Sequence, residues 1–298
     1  MPRAERRRIW RDPRGRIGLL LLGLVAALAI FAPALAPTDP NAQRDVVATR
    51  FLAPLTTDVH GVPHPLGTDR LGRDVWSRLL YGARVSLTVG LLGMAVSLLI
   101  GLLVGSLAAG GPGGLRVLLL GAADFGLGLP RVVLLLLLAA LWNPSAALVI
   151  VVLGLTGWMP VARLVYAETR AQLALPYVQA ATALGIRRAG ILVRHALPNA
   201  MGPVLALATL GVGNAITLEA GLSFLGLGVQ PPAASWGTMI ASGRDTVVNA
   251  PWVGLAPVIA LVLVVIGCTL VGDAISERRT ANGSSELRSD SEADGPAR

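Results

Sequence analysis

Residues 175–203 read Leu-Pro-Tyr-Val-Gln-Ala-Ala-Thr-Ala-Leu-Gly-Ile-Arg-Arg-Ala-Gly-Ile-Leu-Val-Arg-His-Ala-Leu-Pro-Asn-Ala-Met-Gly-Pro. Pro176 suits the first position of a helix, where its missing N–H is no loss. Tyr177 to Leu184 continue that helix, and Gly185 can end it in the left-handed conformation. A second short helix is predicted from Ile186 to Ala196, carrying Arg187, Arg188 and Arg194; Leu197-Pro198-Asn199 then leads into an apolar run. The stretch reads as a helix–Gly–helix protrusion. The small residues Ala180 and Ala181 before the turn make a knob that fits a groove on a partner, and short helices keep it stiff. The plainer reading is an interfacial connector with its Arg side chains at lipid headgroups.

Outward from this stretch the chain is apolar. Of its 298 residues 54% are hydrophobic and 14% charged, against about 25% charged in a soluble domain. That balance excludes a disordered chain, a disulfide scaffold and an ordinary cytosolic enzyme. Six runs approach or exceed the ~20 apolar residues that cross a bilayer: 17–36, 85–109, 117–141 (interrupted by Asp124 and Arg131), 145–162, 196–218 and 246–272. The expected fold is an all-α polytopic membrane protein with six transmembrane helices and both termini on one side. Cys268, the single cysteine, lies in the last run and reads as a small packed residue.

All 25 basic residues are Arg. Without Lys there is no phosphate-loop lysine for ATP hydrolysis and no Schiff-base lysine. With the N-terminus inside, 17 Arg fall in inner segments and 7 in outer ones. The positive-inside rule then sets both termini in the cytoplasm. The net charge of +8 follows mostly from this topology and calls for no nucleic-acid partner. The expected organisation is a basic cytoplasmic N-terminus (1–16), a first transmembrane helix (17–36), an extracytoplasmic loop (37–84), a five-helix core (85–275) and a disordered cytoplasmic tail (276–298). The core contains the cytoplasmic loop 163–198. Leu71, Val75, Leu79 and Leu80 recur at helical spacing near Trp76, so 70–84 reads as an amphipathic helix at the outer interface.

Gln179-Ala180-Ala181, Gly185 and Leu197-Pro198 resemble the E-A-A-x-x-x-G…L-P cytoplasmic loop of ABC importer permeases, the binding-protein-dependent inner-membrane components; Gln179 stands where that family usually has Glu. His64-Pro65-Leu66-Gly67-Thr68-Asp69 with Leu71-Gly72-Arg73-Asp74 resembles a segment of the dipeptide, oligopeptide and nickel subfamily. So do Leu222 to Gly228 with Ser235-Trp236-Gly237, Ala250-Pro251-Trp252, and Asp124-x5-Pro130. Gly121 departs from a place where the family commonly carries Arg. The resemblance covers roughly residues 10 to 278 and is closest to the second permease of such systems.

The resemblance implies the fold of a type I ABC importer permease and a role in ATP-driven import of di- or oligopeptides, with a nickel chelate or glutathione-like solute as alternatives. It implies a homologous permease, two ATPase subunits or domains that hold ATP and Mg, and an extracytoplasmic binding protein, in a bacterial plasma membrane. No cofactor is expected in this chain. Tyr177, Gln179, Ala180, Ala181, Gly185, Arg187, Leu197 and Pro198 are the expected coupling residues. Asp69, Arg73, Asp74, Trp76 and Trp236 are candidates for an outer gate or binding-protein contact.

Charge inside a span is costly and usually faces a bundle interior or a cavity. Asp124, Arg131, Asn214 and Glu219 are therefore candidates for the translocation path or for structural pairing. Asp124 and Arg131 are expected to pair with each other or with Glu219. His60 and His64 lie near Asp58 and Asp69, but a flexible Pro-rich loop lacks fixed ligand geometry, so no metal site is expected. No nucleophile, base and orienting acid occur together, so no catalytic residue is assigned. The rival classes are a membrane-embedded enzyme and a stand-alone channel or secondary transporter. The missing catalytic cluster speaks against the first and the helix–Gly–helix loop against the second.

Overall fold

Asp12 accepts a hydrogen bond from the Arg14 amide, and Pro13 opens helix α1 (Pro13–Ile30). The computed structural model describes residues 12–276. Most of the basic N-terminus and nearly all of the expected disordered tail lie outside the described residues. The first crossing ends at Ile30, and the rest of the run 17–36 forms a separate turn, Ala32–Leu35, entered at Phe31.

Helix α2 (Val75–Gly110) begins where Asp74 accepts the Ser77 amide at 2.6 Å. Residues 75–84 are its first turns and not a separate interfacial helix. Val75, Ser77, Arg78 and Leu80 are buried, and neither proline nor a new cap divides them from the apolar run that follows.

Helix α3 (Gly113–Gly128) and helix α4 (Arg131–Leu141) meet at a bend of 86°. The sequence predicts one span here. Pro130 removes an N–H and drives Leu129 into extended backbone (φ −82, ψ 135), which a continuing helix does not allow. At 11 residues, α4 is about 16 Å long, too short to cross alone.

Helix α5 (Ala146–Leu173) packs on α2 in a constant register: Gly93 meets Leu153, Gly101 meets Val161, and Gly105 meets Val165. The two helices therefore run parallel. A Cβ added at Gly101 would sit 2.6 Å from Val161 Cβ, and one at Gly105 2.6 Å from the Ala162 carbonyl oxygen. Small residues let the backbones close to this distance. Parallel neighbours need a return crossing between them, and α3–α4 supplies it as one broken span. α5 also runs past the apolar stretch 145–162, through Arg163 and Arg170 to Leu173.

After the short helix α6 (Pro176–Ala183) comes α7 (Arg188–Phe224), then α8 (Trp236–Arg244) and α9 (Pro251–Ser276). α7 begins at Arg188 instead of breaking at Leu197-Pro198. A π-helical turn at Leu192–Ala196 widens the helix just before Pro198. That makes room for a ring that would otherwise clash with the carbonyl four residues back. α7 runs antiparallel to α2 (Gly90 on Ile216, Gly211 on Met94), α9 antiparallel to α7 (Gly272 on Leu210), and α1 antiparallel to α9 (Gly18 on Gly267).

Among the described residues five helices are long and apolar enough to cross a membrane, and the bent pair taken as one span makes a sixth. Pro13 and Ser276 both lie at the end that carries α6. The opposite end is capped by residues 36–74 and α8. Within the cap, strand β1 (Thr56–Thr57) pairs antiparallel with β2 (Pro63–His64). Leu99, Leu103, Val117 and Val151 are exposed on the flanks, as a lipid-facing surface requires.

The α2–α5 seam gives a stability prediction. Gly105→Val should destabilise the detergent-solubilised protein by about 1–3 kcal/mol through overpacking. Gly121→Ala, in α3 with nothing within 4 Å of the new Cβ, should cost nothing. Thermal unfolding of the two variants beside wild type measures both.

Candidate functional site

The α6 end carries a protruding helix and a hollow behind it. Pro176 starts α6, and Val178, which is buried, roots it. The helix stops with two backbone bonds: the Ile186 amide donates to the Ala181 carbonyl (3.2 Å) and the Gly185 amide to the Thr182 carbonyl (3.0 Å). This is a Schellman motif, and it needs a left-handed residue at Gly185, whose φ is +79°. Tyr177 Oη donates to Gln172 Oε1 at 3.4 Å. Gln179, Ala180 and Arg187 are exposed, and Ala181 is half-buried. Leu184 is 81% exposed beside Ile186 at 42%, an apolar tip on a polar end. A cavity of about 480 Å³ separates α6 from the ends of α2, α5 and α7; Arg170, Gln179, Thr182 and Arg188 supply its polar wall. Leu197 and Pro198 lie beyond the π turn at the base of α7 and do not line it.

Along the membrane-spanning helices the charges pair differently from the sequence expectation. Asp124 meets Arg163 of α5 at 2.8 Å. It does not meet Arg131, because the 86° bend swings Arg131 out of line with α3. Arg131 Nε donates to Thr156 Oγ1 at 3.5 Å. Glu219 is fully buried and meets neither: it accepts from Ser86 Oγ of α2 at 2.9 Å and from Ser223 Oγ at 2.7 Å. Ser86 also accepts the Trp236 amide (3.1 Å), and Ser223 accepts the Val229 amide (3.1 Å). Glu219 therefore ties α2 and α7 to the start of α8. Arg131 and Asn214 line one small cavity with Ser97 and Gly157; Asp124 and Glu219 lie elsewhere.

Sequence reasoning missed Arg163, Ser86 and Ser223. Ser223 was within reach, one turn after Glu219 on the same helix. Ser86 is 133 residues away and gives no local signal. Arg163 reads as loop in the sequence because the apolar run ends at 162.

In the cap, Asp69 Oδ2 accepts both Nε and Nη2 of Arg73 at 2.7 Å. His64 Nδ1 lies 2.8 Å from Asp74 Oδ1, and His64 Nε2 lies 3.5 Å from Asp58 Oδ2. This loop is a hydrogen-bonded fold and not the flexible segment its prolines suggest. Among the described residues no group of three His, Cys, Asp or Glu is disposed to hold a metal. Asp69, Arg73, Asp74 and Trp236 are all buried. Trp236 Nε1 donates to the Leu79 carbonyl and Trp76 Nε1 to that of Leu35. Those side chains brace the cap on α2.

Residues 97–279 match the family described as binding-protein-dependent transport system inner membrane component. The chain belongs to this family. Residues 4–54 also match the N-terminal transmembrane domain of oligopeptide transport permease C. The family match takes in α6, the broken span and α7; the second match takes in α1 and the start of the cap. A putative peptide transport system permease protein of Brucella abortus is 38% identical over 272 residues, covering 91% of this chain and 88% of the relative. The di/tripeptide transport system permease protein DppC of Pseudomonas aeruginosa is 37% identical over 261 residues, covering 87% and 85%. A putative peptide permease protein of Brucella suis is 39% identical over 216 residues, 72% of each chain. These are transport subunits, and this chain is a multi-pass membrane permease.

The cap also gives a pH prediction. Burial pushes the Asp58 carboxyl up, but the amides of Val62 and His60 and the His64 ring outweigh it and hold the group below its ordinary range. A depressed carboxylate stabilises above its unfolded pKa, and that stability is lost as pH falls through the folded one. Asp58→Asn should therefore melt about 2 °C below wild type at pH 6. The gap should close as pH drops below about 4, read by tryptophan fluorescence.

Proposed function

We propose that this chain is a permease subunit of an ATP-driven, binding-protein-dependent importer of di- or oligopeptides in the bacterial plasma membrane. The α6 end is cytoplasmic and the cap extracytoplasmic. A homologous permease completes the translocation path. Two ATPase subunits or domains, which hold ATP and Mg, dock at α6, and a binding protein delivers peptide at the cap. The Arg bias toward the α6 end supports the sidedness. The names of the relatives support the cargo.

The observation that carries this reading is the joint made by α6. It is locked by its Schellman turn and exposes Ala180 and Leu184, and it sits in the short link between α5 and α7. α5 holds the glycine seam with α2. α7 holds Glu219, which reaches α2 and α8. A displacement of α6 thus acts on both faces of α2 and, through Glu219, on the cap. Rigid elements linked in this way transmit a docking motion as a rocking of packed helices. ATP closure of the ATPase pair and the loaded binding protein each favour a different arrangement.

Ala180→Arg keeps a good helix former in α6 and places a bulky charge on its exposed side. The expected result in the purified complex is an intact permease pair, loss of the ATPase subunits, and ATP-dependent peptide uptake down at least about tenfold. Unchanged assembly and uptake would reject α6 as the coupling element and favour a channel or an enzyme.

Sidedness is tested in a Cys268→Ser background. Cysteine at Val59, 71% exposed in the cap, should react with a membrane-impermeant thiol reagent in intact cells. Cysteine at Leu184 should react only once the membrane is opened. The reverse pattern would invert the orientation.

A further inference from the structure

Asp124 and Glu219 are matched within the chain, the first by Arg163 and the second by two serine hydroxyls. Arg131 is not. Its hydrogen bond is the 3.5 Å contact with Thr156, and no carboxylate among the described residues lies within ion-pair distance. A guanidinium offers five N–H donors, so most of them lack an acceptor. The depth makes this costly. Arg131 adjoins Gly157, which packs on Ser97, midway along the uncharged run 85–109. Charge at that level faces a bundle interior or a water-filled path.

The guanidinium borders a cavity of about 90 Å³ enclosed by α2, α4, α5 and α7. Asn214 lines the same space from α7; it is exposed and makes no hydrogen bond among the described residues. Ser97, the third polar residue there, already donates to the Leu153 and Gly154 carbonyls, both at 3.2 Å. The remaining wall is Gly, Ala, Pro, Met, Leu and Val. Two helices thus bring a cation and an unpaired amide to one space that holds no acid. What fits is a small anionic acceptor next to an amide.

We propose that Arg131 and Asn214 form a stopping place for the terminal carboxylate of the passing peptide. Arg131 takes the carboxylate and Asn214 the adjoining peptide group. This rests on the peptide-importer reading above and adds the chemical group that the path recognises. A planar fork of donors matches a carboxylate. A peptide with a free C-terminus carries that group whatever its side chains, so one site serves varied cargo.

The test uses the complete transporter in proteoliposomes, with partner permease, ATPases and binding protein. Wild type, Arg131→Gln and Arg131→Lys are compared for uptake of a tripeptide as free acid and as C-terminal amide, each at saturation of the binding protein. Arg131→Gln is expected to assemble with the partner permease and the ATPases. Its free-acid uptake should fall about tenfold, its amide uptake should stay within about twofold of wild type, and Arg131→Lys, which keeps the charge without the planar fork, should recover only part of the loss. Equal loss of both peptides, no loss, or equal failure of Lys and Gln would overturn the assignment. So would failure of the permease pair to co-purify, which would put the acceptor on the partner chain. Wild type without ATP-dependent uptake of either peptide would instead remove the importer reading itself.

Discussion

The close approach of α2 and α5 is the contact on which the other crossings depend. Gly93, Gly101 and Gly105 on one helix and Gly154 and Gly157 on the other each face a side chain of the opposite helix, so at every contact one side chain instead of two separates the backbones. In lipid the apolar effect does not drive helices together, so such contacts carry the association. Because the pair is parallel, the chain has to cross back between them. That return is the broken span α3–α4, and its bend sets Arg131 beside Gly157. The opposite flank of α2 takes α7 and Glu219. The arrangement of polar groups therefore follows from one seam of small residues.

Every polar group placed in the bundle meets the same constraint: it is satisfied from within the chain or it needs another occupant. Glu219 meets it with hydroxyls, and those hydroxyls also hold the amides of Val229 and Trp236. The carboxylate thus orders a loop and a helix start as well as a helix pair. Asp124 and Arg163 meet the constraint as a pair, although both side chains remain about half exposed. A half-exposed ion pair on a crossing is poorly suited to lipid. It marks a surface that faces water or protein.

Much of this was legible in the sequence. Apolar run lengths marked the five long helices and the stretch that forms the bent pair, and the Pro176-to-Gly185 spacing marked α6 with its end. Motifs around Asp69-Arg73-Asp74 and Ser235-Trp236-Gly237 carried the family. What was not legible depends on distant contacts. Asp124 and Arg131 are seven apart, two turns on a straight helix, and only the bend at Pro130 separates them. Ser86 is an ordinary serine until α7 brings Glu219 to it. The amphipathic pattern of 70–84 was real, but the buried side is covered by the cap and not by lipid, so the same periodicity led to another environment. Leu197-Pro198 looked like a break because a proline normally ends an α-helix, and a widened turn carries the helix through it.

That widened turn has a mechanical meaning. A π turn holds one more residue per hydrogen-bonded loop than an α turn, and here it lies between α6 and the body of α7. One residue corresponds to about 1.5 Å of rise and 100° of twist. The helix therefore carries one extra residue of slack next to its α6 end. Releasing that step would turn a short thrust along the axis into a rotation of everything beyond Pro198, Asn214 and Glu219 included.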